Sequence, residues 1–351
     1  MQEFLDTYHL NNQTIAVGVS GGADSLALVL RLHQAGAKLV ALTVDHDLRA
    51  ESRQEAEYVA SLMQQFAIEH HILKWVGAKP HTGVEEAARQ ARYDLLFAFC
   101  HQHHIKYLAT GHHRRDQAET FLLRLARGSG VFGLSGILPI TERDGITIIR
   151  PQLNDSPDDL KKFLQQQNIS WVEDPMNAEP DYARVKIRQF LPLLRDVGID
   201  EQRLAETAAI LRQTREYLQN CVDDFISANV RRFADVVVAV SLAKLSGLPV
   251  EIARLVLGEL IRRIGGDSYT PEAASLNRII SEGLDFSGCT LGGCELEVAQ
   301  SKLWIMPQDK HNRLMTASQW DDFCANHREF ANSGLPYKVR RAIWINYNDR
   351  K

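Results

Sequence analysis

The first half of the chain alternates between two periods of apolar and polar residues. Thr14–Val19 is a short, β-branched apolar run, and from Asp24 to about Gln34 the apolar residues recur at helical spacing. The pair repeats as Leu39–Val44 with Glu51–Phe66, as His71–Val76 with Val84–His103, and as Tyr107–Thr110 with Gln117–Ala126. Repeated strand–helix units predict a parallel sheet covered by helices. The glycines at 128, 130, 133 and 136 then break the rhythm, which marks a functional loop or a boundary. Past Asp174-Pro175 the pattern turns helical over Asp200–Val230, Pro249–Ile264 and Pro271–Glu282, with a short β-like run at Asp235–Val240. Beyond Phe286 strand-like pieces dominate, among them Glu295–Ala299 and Leu303–Met306. The expected organisation is an α/β parallel-sheet domain over residues 1–200, a mainly helical domain over 201–283 and a small α+β region over 284–351.

Composition narrows this only a little. A chain of 351 residues suits two or three domains, and 45% hydrophobic with 24% charged residues is a soluble globular profile. No apolar run reaches the ~18 residues that a membrane span needs. Met1–Asn12 carries acids and has no apolar signal core, so a cytoplasmic protein is expected. Five scattered cysteines point to reduced thiols rather than a disulfide framework. The net charge of −4 does not suggest a nucleic-acid binder, yet such binding needs only a local basic face. Arg262-Arg263 and Arg340-Arg341 are such local clusters, and charge alone reads them as solvated surface.

Ser20-Gly21-Gly22-Ala23-Asp24-Ser25 follows the first strand and opens the first long helix. A strand-to-helix junction offers unpaired N–H groups and the positive end of the helix dipole, and glycine lets the backbone close on an anion. The lysine of a Walker A loop is absent. Asp24 and Ser25 either serve the phosphate site or simply cap the helix. Asp116 and Glu119 are three apart and share a helix face, a pair suited to a metal ion or to an ammonium group. His46, His112 and His113 lack the ligand spacing of a closed zinc site, so no metal-ligand set is assigned to them.

The six-residue string resembles the SGGxDS loop of the N-type ATP pyrophosphatases, the PP-loop enzymes, which split ATP between its α and β phosphates. Val44-Asp45-His46-Asp47-Leu48-Arg49, Glu86-Ala87-Ala88-Arg89, Gly111-His112-His113-Arg114-Arg115-Asp116-Gln117-Ala118-Glu119-Thr120, Arg150-Pro151, Asp174-Pro175-Met176-Asn177, Tyr182, Arg184 and Arg188 follow in order. In that order they resemble the tRNA(Ile)-lysidine synthetase family across about residues 14–195. The resemblance implies an adenine-nucleotide α-hydrolase-like domain that uses ATP and Mg²⁺. It implies as substrates free L-lysine and the isoleucine tRNA with a CAU anticodon. It gives Ser20 to Ser25 to the nucleotide, and Asp45, Asp116 and Glu119 to catalysis. It gives Arg89, His112, Arg184 and Arg188 to the substrates, with Arg89 facing the lysine carboxylate, while local clustering alone adds Arg262 and Arg263 as tRNA contacts. This chain has Arg115 where the family usually has an acid, so Arg115 is expected to point away from the pocket. The alternatives are a thiolating or amide-forming relative and a nucleotide-binding protein without turnover.

Overall fold

The computed structural model describes residues 1–46, 52–77, 83–173, 183–266, 271–309, 311, 313–331 and 333–349, with backbone only at 84 and 85. The chain divides into two compact units, Met1–Arg215 and Glu216–Lys351.

After a short helix α1 (Gln2–Thr7), the first unit runs β1 (Thr14–Gly18), α2 (Ala23–Gln34), β2 (Lys38–Asp45), α3 (Ser52–Gln65), β3 (Glu69–Lys74), α4 (Val84–Gln102), β4 (Tyr107–Ala109) and α5 (Arg114–Ala126). It continues through α6 (Val131–Leu134), β5 (Ile140–Arg143), β6 (Ile146–Ile149), α7 (Pro157–Gln166) and α8 (Ala183–Asp196). The sheet order is β3-β2-β1-β4-β6-β5. All neighbours are parallel except β5, which pairs antiparallel with β6. Alternation along β1 separates two cores. Ile15 and Val17 pack with Leu26 and Leu30 of α2 and Leu160 of α7. Ala16 faces Leu96, Phe97 and Cys100 of α4. From β1 the chain steps first to β2 and β3, then returns to β4 on the other side. That reversal opens a crevice at the carboxyl ends of β1 and β4, the place where open α/β sheets bind ligands.

The division at Arg215 falls inside α9 (Glu201–Asn229). The second unit holds β7 (Val230–Phe233), β8 (Val237–Ser241), α10 (Leu242–Ser246), α11 (Val250–Gly265), α12 (Ala273–Glu282), β9 (Cys289–Leu291), β10 (Cys294–Ala299), β11 (Lys302–Pro307), α13 (Ala317–Asn326) and α14 (Tyr337–Asp349). Its sheet is antiparallel, in the order β7-β8-β11-β10-β9. Val238 and Val240 pack with Val256, Leu260 and Ile279 of α11 and α12. Val237 and Ala239 alternate onto the other face with Trp304, Trp320, Phe323 and Ile343. The boundary expected near 284 lies within this unit, because β8 pairs with β11 across it. The strand pieces expected after Phe286 end at Pro307, and the remainder is largely the two helices α13 and α14.

Candidate active site

The phosphate loop leaves β1 where Val19 N–H still donates to Leu42 O, 2.8 Å away. Gly21 then adopts φ +85°, a conformation that glycine takes without strain. Gly22 is the N-cap of α2, and no side chain caps this helix end. Ser25 Oγ instead donates to Gly22 O at 3.0 Å and accepts from Ser20 N–H at 3.1 Å, closing the loop on itself. The first N–H groups of α2 are thus left for an anion. Neither Asp24 nor Ser25 caps the helix: Ser25 fixes the loop, and the Asp24 side chain stays 42% exposed.

A second loop presses against this one. A Cβ on Gly111 would lie 3.2 Å from the Asp24 carbonyl carbon and from Ser25 N, a contact tighter than side chains usually make, so glycine eases the approach. His113, two residues on, is the N-cap of α5. Its Nδ1 accepts from Asp116 N–H at 3.4 Å, while its own N–H donates to Asp116 Oδ2 at 2.9 Å. Its Nε2 lies 3.3 Å from Asp24 Oδ2. One imidazole therefore bridges the phosphate loop and the acidic helix. Burial opposes charge on this ring, but the hydrogen bond to Asp24 and the nearby carboxylates outweigh it and raise its pKa.

His112 behaves oppositely. Burial lowers its pKa to about 4 against the pull of Asp116, and the Arg150, Arg89 and Arg184 cations add to the lowering. Its Nδ1 and Thr110 Oγ1 share a hydrogen bond of 2.9 Å. The same influences place Arg89 of α4 and Arg184 of α8 in the electrostatic neighbourhood of His112. Glu119 is fully buried and grips Arg188 of α8, with Nε–Oε1 at 2.5 Å and a longer contact of 3.5 Å from the second nitrogen. Burial raises the Glu119 pKa, although Arg188 pulls it back. Asp116 Oδ1 makes no hydrogen bond among the described residues. Arg115 pairs with Glu201 at 2.8 Å, though its charge still reaches His113.

Asp45 ends β2, and its carbonyl accepts from Trp75 N–H at 3.0 Å. The motif stretches at 47–49 and 174–177, with Tyr182, lie outside the described residues. The glycine-rich stretch after α5 is a braced loop: Arg124 donates to Gly133 O at 2.7 Å and to Gly136 O at 2.9 Å. Sequence reasoning missed Gln152, whose fully buried amide donates to Asp24 O at 2.7 Å and stiffens the phosphate loop from the turn after β6. A glutamine after Arg-Pro carries no signal of such a role. Arg262 and Arg263 belong to the second unit, where both clasp Glu259, and Arg263 also reaches Asp223 at 3.2 Å. In the same unit Arg341 pairs with Glu295 at 3.0 Å, and Arg340 lies 5.9 Å from the Trp320 ring centre.

Comparison with known proteins shows the family. A PP-loop domain model matches residues 1–194. The chain is 38% identical over 285 residues to the tRNA(Ile)-lysidine synthase of Ruegeria pomeroyi, spanning 80% of this chain and 68% of that one. It is 36% identical over 308 residues to the enzyme of that name from Hyphomonas neptunium, spanning 84% and 81%. Among solved structures, the U34-tRNA thiolase NcsA of Methanococcus maripaludis superposes with a TM-score of 0.50 at 16% identity, over 57% of this chain and 73% of that one, a likeness of fold alone. The lysidine synthase matches run past the PP-loop domain into the second unit at more than a third identity, which is common descent rather than a shared fold, and the chain belongs to the tRNA(Ile)-lysidine synthase family of PP-loop proteins.

Proposed function

We propose that this chain joins free L-lysine to C2 of the cytidine at the first anticodon position of the CAU-anticodon isoleucine tRNA. The observation that carries the reading is the His113 bridge, which holds Asp24 of the phosphate loop and Asp116 of the acidic helix on one imidazole. ATP and an amine nucleophile would meet at that bridge. The C2 oxygen of the cytidine attacks the α-phosphorus of ATP, and pyrophosphate leaves. The lysine ε-amine then attacks C2, and AMP leaves with that oxygen. A single-stranded anticodon loop lets the base splay into the crevice. The N–H groups of Gly22 to Asp24 orient the phosphates. Mg²⁺ fits here as an ion held by Asp24 together with phosphate and water, where it would neutralise the charge on the leaving pyrophosphate.

Lysine arrives as an ammonium ion and must shed a proton before it attacks. Asp116 Oδ1 is the open acceptor for that cation. Glu119, made more basic by burial, can take up the proton once Arg188 yields it an oxygen. Arg89 suits the lysine carboxylate, which a guanidinium meets with two parallel hydrogen bonds. Arg184 and Arg188 extend the basic rim toward the RNA backbone. The second unit would hold the body of the tRNA, with Arg262 and Arg263 as phosphate contacts. The enzyme would work in the cytoplasm, and no described helix is long and apolar enough to cross a membrane. A sulfur-transferring reaction is less well supported: Cys100 of α4 is fully buried in the core, and the other four cysteines lie in the second unit. Incubation with ATP, labelled lysine and tRNA should place the label in the anticodon nucleoside. Pyrophosphate release without label there would overturn the assignment.

A further inference from the structure

The second unit carries a cavity of about 570 Å³ that no part of the proposed reaction uses. It lies between the β7–β8 turn, the end of α13 and the last turns of α14. Its volume is within the ~300–1,000 Å³ typical of small-ligand sites. Aromatic rings make much of its wall: Phe233, Phe323, Phe330, His327 and Tyr347. Phe323 and His327 stack with ring centres 4.4 Å apart, and Tyr347 stands edge-on to both, at 5.3 Å from Phe323 and 4.6 Å from His327. A planar guest would therefore find ring faces already fixed in place.

The polar lining selects among planar guests. Asp235 and Glu329 contribute carboxylates, which accept hydrogen bonds and repel phosphate. Asn346 and Ser333 add groups that both donate and accept. Glu329 lies 3.5 Å from His327 Nδ1, and His327 Nε2 is buried with no partner among the described residues. An amine-bearing base suits such a lining better than uracil, which offers carbonyl oxygens in place of the exocyclic amine. Cations stand at the margin. Arg232 lines the cavity and Arg328 follows His327. Both are exposed, and neither has an ion-pair partner among the described residues. Most other arginines of this unit are neutralised: Arg254 by Glu251, Arg262 and Arg263 by Glu259, Arg278 by Glu282, Arg313 by Asp309 and Asp349, Arg341 by Glu295.

We propose that this cavity holds one unstacked adenine or cytosine of a bound RNA strand, with Arg232 and Arg328 on the flanking phosphates. The inference rests on the reading that the chain acts on tRNA, and it gives the second unit a specific point of contact. Stacking on the fixed rings supplies the attraction, and the carboxylates together with Asn346 read the exocyclic amine.

The test uses the full chain and two variants. Ser333→Trp fills the cavity from an exposed position. Arg232→Ala with Arg328→Ala removes two cations that have no ion-pair partner among the described residues. Labelled single-stranded RNA of adenosine and cytidine should bind the parent, by fluorescence anisotropy, at least about tenfold more tightly than oligouridine, the scale of one hydrogen bond from the amine to a carboxylate. Each variant should lose about that factor and raise KM for tRNA similarly, with kcat at saturating tRNA kept. Arg278→Ala, an exposed paired arginine, serves as control and should match the parent. Equal binding of oligouridine, full displacement of the RNA by free AMP at equal concentration, or parental KM in both variants would overturn the proposal. If the parent places no lysine on tRNA, the proposed reaction fails instead, and the oligonucleotide measurement, which needs no turnover, still decides the cavity.

Discussion

Gly21 and Gly22 are neighbours in the phosphate loop under different constraints. At Gly21, φ is +85° and a Cβ would meet Val59 and Val172 at 3.3 and 3.4 Å, so Gly21→Ala should cost about 1–2 kcal/mol of stability in calorimetry. Gly22 has φ −73°, and a Cβ there would meet Ser20 Oγ and Val172 O only at ordinary distances of 3.6 and 3.9 Å. Gly22→Val should therefore melt near the parent temperature, yet lose roughly 100-fold in ATP-dependent lysine transfer, because the branched side chain displaces the phosphates. Parental kcat in Gly22→Val would mean that no anion sits there. His112 makes a separate prediction from its depressed pKa of about 4. The folded state resists protonating this ring, so its contribution to stability is complete above the unfolded value of about 6.5 and is lost as pH falls toward 4. Titration followed by NMR should show the His112 ring still neutral at about pH 5.5, where an ordinary histidine is mostly charged. His112→Gln should flatten the fall in melting temperature across that window. The sequence motifs brought these residues to notice without revealing their partners. Arg188 meets Glu119 from 69 positions away and Arg115 meets Glu201 from 86, distances over which spacing carries no information.

At the scale of elements, the first unit was legible where a strand and helix repeat, because β-branched runs such as Thr14–Val19 and amphipathic stretches such as Glu51–Phe66 differ plainly in period. The hairpin β5–β6 was not, since its strands are four residues each and β5 ends in Glu142-Arg143, an edge strand with little to bury. Helix α7 carries a Ser156 cap and a first-turn proline but only ten residues, and α13 hides its Thr316–Gln319 capping box after a region read as strands. Helices α5 and α8 are joined by the Glu119–Arg188 pair. Arg188→Met should strand a fully buried carboxylate. Loss of one partner of a buried pair costs about 3–5 kcal/mol, and the 36% exposure of Arg188 moves the expected loss to the low end. Adding Glu119→Leu should restore most of the melting temperature but not lysine transfer. If the double variant melts as low as Arg188→Met alone, the stranded charge is not the cause. Arg115→Asp sets a carboxylate against Glu201 in place of an ion pair, so about 1 kcal/mol of stability should go while lysine KM stays within twofold or so of the parent.

At the scale of the whole molecule, a chain of net charge −4 must bind a polyanion through a few cations freed from their local acids. The sequence drew attention to Arg262 and Arg263 by their adjacency, but not to Glu259, which lies one turn earlier on α11 and holds both. Its carboxyl pKa is lowered: burial works against this, but hydrogen bonds from the two arginines prevail, so the acid is ionised at neutral pH and each guanidinium is largely spent on it. A phosphate contact at these arginines would have to compete with that carboxylate. Glu259→Gln removes the competitor while keeping a neutral acceptor of similar size. If Arg262 and Arg263 meet tRNA phosphates, this variant should bind tRNA more tightly than the parent at low salt. Its affinity should also fall more steeply with salt, by roughly 0.7–0.9 in the log–log slope for each phosphate newly neutralised. Raised salt should erase the gain, because ion release drives it. A filter-binding series from low to physiological salt distinguishes the outcomes. An unchanged slope with unchanged affinity would show that these two arginines serve the packing of α11 against α9, through Glu259 and Asp223, and that the tRNA is held by other cations of the chain.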